Sequence, residues 1–75
     1  MGKALEVLER MPKLHGRIVK RFLENAVKSA NENDARWHLN YISAYVHALH
    51  VEGIVNFDDW MVFFELKPED LRGVA

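Results

Sequence analysis

Residues 35 to 52 predict a single helix with two separate apolar faces, and this pattern limits how the chain can fold. On each face, apolar residues recur at the spacings of a helix packed against a neighbour. The first face consists of Ala35, Leu39, Ile42, Val46, Leu49 and, at its end, Gly53. The second face consists of Trp37, Tyr41, Ala44, Tyr45, Ala48 and Val51. Such a helix needs packing partners around most of its circumference.

Because the chain is short, association with a second copy would readily provide those packing partners. A domain of 75 residues buries on folding only about 60% of the surface that its unfolded form exposes. The chain has no cysteine, so neither disulfides nor a thiolate metal site can add stability. No apolar run approaches the roughly 18 residues of a membrane span. We therefore expect a cytoplasmic protein with one domain, residues 1–75, no cofactor and no membrane association.

The overall pattern predicts an all-α fold, a small bundle of three main helices plus a short N-terminal helix, completed by dimerisation. The expected helices span residues 3–11, 13–30, 34–52 and 57–66, and residues 72–75 form a frayed tail. The expected core consists of Leu5, Leu8, Ile18, Phe22, Leu39, Ile42, Val46, Leu49, Phe57 and Phe64. The expected interface for a second copy or another protein consists of Trp37, Tyr41, Ala44, Tyr45, Ala48, Trp60 and Phe63.

Four residue types mark where these helices begin and end. Pro12 ends or kinks the first helix. Either Asn33 or Asp34 is expected to cap the third helix at its N-terminus, and Asn56 the fourth, because their side chains accept hydrogen bonds from free backbone N–H groups. Gly53 should stop the third helix, since glycine readily adopts the left-handed conformation that follows a helix end.

Charge is divided unevenly between the two halves of the chain. Residues 1–30 carry seven Lys or Arg against three Glu, and residues 31–75 carry three against eight Asp or Glu. Five basic residues of the second helix fall in a narrow arc opposite its apolar stripe: Lys13, Arg17, Lys20, Arg21 and Lys28. Such an arc can bind the phosphates of a nucleic acid. However, Glu24 lies within the arc, four residues from both Lys20 and Lys28, as on an ordinary salt-bridged helix face.

A histidine pair on the third helix is the strongest candidate for metal chemistry. His47 and His50 are three residues apart and lie on a polar strip, expected to face solvent, with Arg36, Asn40 and Ser43. Two imidazoles are too few for a zinc site, which needs three or four protein ligands. We therefore predict no bound metal, unless the histidines of two copies meet in a dimer.

Catalysis has the least support in the sequence. Ser43 and His47 have suitable spacing for a hydrogen bond, but no carboxylate orients the imidazole and no oxyanion site is evident. The sequence thus favours a non-enzymatic interaction module, a small regulator or assembly adaptor acting as a homodimer. The alternatives are a dimeric nucleic-acid-binding regulator that uses the basic arc and a histidine-based dimer that responds to metal or pH.

Overall fold

The computed structural model describes residues 2–71. Within that range the elements are α1 (Gly2–Arg10), α2 (Lys13–Val27), α3 (Glu32–Val51), α4 (Phe57–Phe64) and a 3₁₀ turn at Pro68–Leu71. These elements confirm the predicted all-α fold, while the predicted tail, residues 72–75, lies outside the described residues. No described helix combines the length and the apolar character that crossing a membrane requires.

The helices form two diagonal pairs around one core. α3 packs against both α2 and α4, and α1 packs against the same two helices. α1 and α3 therefore occupy diagonal positions, with α2 and α4 between them. The 3₁₀ turn packs on α3. The core consists of Ala4, Val7, Met11, Val19, Leu23, Ala26, Ala35, Leu39, Ile42, Val46, Leu49, Val55, Phe63 and Leu71.

The core face of α3 is the one that the sequence predicts. Leu39, Ile42, Val46 and Leu49 are all buried. This agreement follows from the helical period, because these apolar residues recur at spacings of three and four along a single side of a long helix. Three other predicted core residues, Leu8, Ile18 and Phe22, are only half-buried.

The predicted core is wrong in α1 and α4. Leu5, Phe57 and Phe64 are exposed by 44%, 55% and 59%, whereas Val7 and Phe63 are buried to 2% and 1% exposure. Both helices are short. α1 has one broad apolar arc with Leu5 and Val7 at its opposite edges, and α4 carries apolar residues on almost every side. The spacing of these residues therefore could not select the face that turns inward.

The loop between α2 and α3 both begins and ends earlier in the chain than predicted. α2 ends at Val27 rather than at residue 30. α3 begins at Glu32 because Asn31 is its N-cap, and the Asn31 Oδ1 atom accepts a hydrogen bond of 2.9 Å from the backbone N–H of Asp34. The predicted cap at Asn33 or Asp34 is therefore wrong, since Asn31, two residues before Asn33, is the capping residue. The predicted cap of α4 is confirmed, since Asn56 Oδ1 accepts from the N–H of Asp59 at 2.8 Å.

Gly53 ends α3 as the sequence predicts. Its φ angle is +79°, in the left-handed region. The N–H of Gly53 donates to the carbonyl oxygen of His50, and the N–H of Ile54 donates to that of Leu49, both at 2.9 Å. These two hydrogen bonds form the Schellman motif, which satisfies carbonyl groups that a helix end would otherwise leave free.

Substitution of Gly53 tests this helix stop. Gly53→Ala should lower the free energy of unfolding by about 1 kcal/mol, because a Cβ atom disfavours the left-handed conformation. Gly53→Asn should cost less, since asparagine tolerates this conformation better. Urea unfolding monitored by circular dichroism measures both changes. Equal stability of Gly53→Ala and the wild type would contradict the assignment.

One ion pair connects the end of α1 with the first turn of α4. The guanidinium Nη2 of Arg10 donates to Oδ1 of Asp59 at 2.7 Å. This hydrogen bond, together with the negative charge of Asp59, raises the pKa of Arg10 above its ordinary value. Arg10 is exposed, so the pair contributes little to stability.

Candidate functional site

The side of α3 turned away from the core is apolar and exposed, and we call it the outer face. It consists of Trp37, Tyr41, Ala44, Ala48 and Val51. Trp37, Tyr41 and Val51 are exposed by 61%, 52% and 69%, and both alanines are also exposed. Their spacings of four, three, four and three residues are those of a helix-packing seam. α3 therefore carries two such seams, and within residues 2–71 only the one facing the core is covered.

A row of aromatic side chains connects the outer face with α2. The Trp37 ring stacks on Tyr41, with ring centres 5.7 Å apart. Tyr41 in turn contacts Phe22 of α2 edge to face at 5.0 Å, and Phe22 contacts Tyr45 at 5.9 Å. The hydroxyl of Tyr45 lies 2.8 Å from Nδ1 of His15 in a hydrogen bond. Through these contacts, the exposed rings of Trp37 and Tyr41 pack against each other and against Phe22 of α2.

The exposed apolar surface continues from α3 onto α2. Leu14, Ile18 and Phe22 follow one another at spacings of four and so share one side of α2. Phe22, on that side, contacts Tyr41 and Tyr45. Leu14 is 65% exposed, and Ile18 is half-buried. Clustered large apolar side chains of this kind mark surfaces that bind other macromolecules.

Two residues of the predicted interface lie elsewhere. Phe63 is 1% exposed and belongs to the core, so its assignment to an interface is wrong. Trp60 is half-buried on another side of α3, where its ring contacts His47 and His50 with ring centres 4.7 and 5.6 Å apart. Both differences arise because α4 turns its Phe63 side inward and packs its tryptophan against the helix that it covers. Tyr45 is half-buried at the border of the outer face.

The two histidines differ in exposure: His47 is exposed, as the sequence predicts for its strip, whereas His50 is half-buried beside α4. The His50 ring stacks on Trp60 at an angle of 11°, and its Nδ1 atom lies 2.9 Å from the carbonyl oxygen of Val55, to which the protonated nitrogen donates. Arg36 and Asn40 of the same strip are exposed as predicted. Across residues 2–71, no three or more side chains of the metal-binding types come together in a possible metal site. His50 thus packs between α3 and α4, and the exposed His47 contacts the same tryptophan of α4.

The structure divides the basic arc of α2 into two parts. All five of its cations are exposed, but only Lys13, Arg17 and Lys20 border a groove between α1 and α2. Arg21 and Lys28 are not part of that groove. The predicted pairing of Glu24 with Lys20 and Lys28 is absent, since the ion pairs found within residues 2–71 are Arg10 with Asp59 and Arg36 with Glu32. Glu24 nevertheless remains exposed on the same helix, so the net charge of the arc is the one that the sequence predicts.

Comparisons of the chain with models of protein families, with curated proteins and with solved structures give no significant match.

Proposed function

We propose that this chain is a non-enzymatic, cytoplasmic protein-interaction module that acts as a homodimer through the outer face of α3. The observation that carries the proposal is the exposed seam of five apolar residues, with tryptophan and tyrosine at one end. Trp and Tyr are the residues that most often dominate the binding energy of protein interfaces. A second seam with the spacing of a buried one is best explained by a second helix that packs against it.

The sizes of the side chains along the seam favour a second copy in antiparallel orientation. Ala44 is the middle residue of the five, so a two-fold axis there places Ala44 against its own counterpart. Tyr41 then faces Ala48, and Trp37 faces Val51. Each large side chain meets a smaller one, as efficient packing requires. A parallel pair would instead set tryptophan against tryptophan and leave space between the alanines.

The mass of the protein in solution tests the homodimer. Light scattering over a series of concentrations should give twice the chain mass of 8.7 kDa. In the double variant Ala44→Glu with Ala48→Glu, the dissociation constant should rise at least about 100-fold, because association would bury unpaired carboxylates. Glutamate is a good helix former and both positions are exposed, so the helix content in circular dichroism should not change.

A matched control makes the same change in net charge elsewhere. Lys3→Gln with Lys20→Gln changes the net charge by the same two units and should leave the dimer intact, because both lysines are exposed on α1 or on the α1 side of α2, away from the outer face. A wild-type mass of 8.7 kDa at every concentration would refute the proposal. Equal loss of the dimer in both double variants would show that net charge, rather than the outer face, controls association.

The two alternative functions have less support. A regulator that binds nucleic acid would use the basic arc, but three of its five cations border a groove that also contains apolar side chains. A dimer that responds to metal or pH would use His47 and His50, whose rings are both engaged by Trp60.

A further inference from the structure

A groove between α1 and α2 combines an apolar floor with a basic rim, and we call it the α1–α2 groove. Leu5, Leu8 and Met11 line its α1 side, and Lys13, Arg17 and Lys20 line its α2 side. Leu5 is 44% exposed, so it presents apolar area to the groove. Glu9 is the one carboxylate among the residues that line it. The groove thus offers apolar contact area beside three cations.

The α1–α2 groove is separate from the outer face of α3. α1 and α3 occupy diagonal positions of the bundle, with α2 and α4 between them. The groove therefore opens on the α1 side of α2, whereas the outer face continues onto α2 along Leu14 and Ile18, on the side next to α3. A dimer formed through α3 would leave one groove open on each copy. Both surfaces can therefore be occupied at the same time.

We propose that the α1–α2 groove binds an acidic amphipathic helix of another protein. Apolar side chains of such a helix would seat on Leu5 and Leu8, the arrangement by which grooves recognise amphipathic helices. Lys13, Arg17 and Lys20 span about 10 Å along α2, or two helical turns. Carboxylates beside the apolar stripe of the bound helix would face these cations. The proposal rests on the proposed function, since it names the class of partner for the interaction module.

The composition of the groove favours a peptide over a nucleic acid. Proteins that bind single strands stack bases on aromatic side chains, and the residues that line this groove include no aromatic ring. A double-stranded backbone presents phosphates and sugars but no apolar stripe to cover Leu5 and Leu8. An acidic amphipathic helix is complementary to both the cations and the leucines.

A designed peptide tests the proposal on the intact chain. The probe is a fluorescein-labelled helix of about 18 residues composed of Leu, Glu and Ala, with its leucines on one face. The control peptide has the same composition, with the leucines distributed around the helix. Fluorescence anisotropy should show binding of the probe and at least about tenfold weaker binding of the control peptide, because only the probe presents both an apolar stripe and flanking carboxylates.

Paired charge reversals locate the binding site. Lys13→Glu with Arg17→Glu, inside the groove, should weaken binding at least about tenfold. Arg21→Glu with Lys28→Glu makes the same change in net charge on α2 but outside the groove, and should weaken binding less than about threefold. Leu5→Ser should also weaken binding without a change in charge, and circular dichroism shows whether each variant remains folded.

The outcomes separate this proposal from the homodimer. Equal losses from both charge reversals, equal binding of the two peptides, or no binding at all would overturn the groove proposal. Displacement of the probe by a DNA duplex of about 20 base pairs, with loss of duplex binding in the groove variants, would identify a nucleic-acid site instead. Light scattering of the same samples is independent: a monomer that binds the probe through the groove rejects only the dimer, and a dimer that does not bind the probe rejects only the groove.

Discussion

Replacing Phe63 with alanine should lower the free energy of unfolding by about 3–5 kcal/mol, whereas the same change at Phe64 should cost less than about 1 kcal/mol. Phe63 is 1% exposed in the core, and Phe64, the next residue of α4, is 59% exposed. Removal of the buried ring loses its transfer free energy and leaves a cavity that the neighbouring helices only partly fill. Removal of the exposed ring creates no such cavity.

The expected loss at Phe63 is large for a domain of this size. At roughly 0.05–0.15 kcal/mol per residue, the total stability of such a chain is about 4–11 kcal/mol, so Phe63→Ala should remove between about a quarter and all of it. Urea titrations of both variants at the same protein concentration provide the measurement. Neither Phe63 nor Phe64 belongs to the outer face. Dimerisation through that face would therefore stabilise both variants to the same extent. Equal losses, or a larger loss at Phe64, would contradict the observed orientation of α4.

A second large effect is expected at Gly16 in α2. Gly16→Ala should lower the free energy of unfolding by about 1–3 kcal/mol, although alanine in a helix interior is usually about 1 kcal/mol more favourable than glycine. A Cβ atom at this position would lie 3.0 Å from the carbonyl oxygen of Leu8 in α1 and 3.8 Å from Cβ of Met11. The closer atom belongs to the backbone and cannot rotate away, so α1 would have to shift from α2 by a few tenths of an ångström.

Asn25 supplies the control for this substitution. It lies in the same helix and is exposed, so Asn25→Ala should gain up to about 0.7 kcal/mol from helix propensity without disturbing a contact. Thermal unfolding of the two variants should therefore show shifts of opposite sign relative to the wild type. A stabilising effect of Gly16→Ala would mean that α1 adjusts its position on α2 without cost.

Local features of the chain were predictable because their causes are local. Gly53 ends α3 through a backbone conformation that glycine adopts easily, and Asn56 caps α4 through a side chain that reaches its own helix. The core face of α3 follows from the regular period of Leu39, Ile42 and Val46 over a long helix. The surplus apolar face was also predicted, and in the single chain Trp37 and Tyr41 remain exposed.

The predictions that failed concern choices between nearly equivalent faces or positions. α4 carries aromatic or aliphatic residues on almost every side, so its sequence is compatible with either Phe63 or Phe64 in the core. The position of His50 depends on Trp60, which approaches from another helix and stacks on the imidazole. Glu24 was expected to pair with lysines four residues away, yet these exposed side chains have little to gain from an ion pair in water.

The sequence by itself determined that this chain is helical, where three of its helices begin or end, and that α3 has more apolar surface than one core can cover. These properties depend on residues within a few turns of one another, which the order of amino acids specifies directly. Only the tertiary structure decided which sides of α1 and α4 are buried, and that three of the five cations border the α1–α2 groove beside Leu5. Those choices depend on contacts between helices distant in the chain, where total burial and close packing, rather than local spacing, select the arrangement.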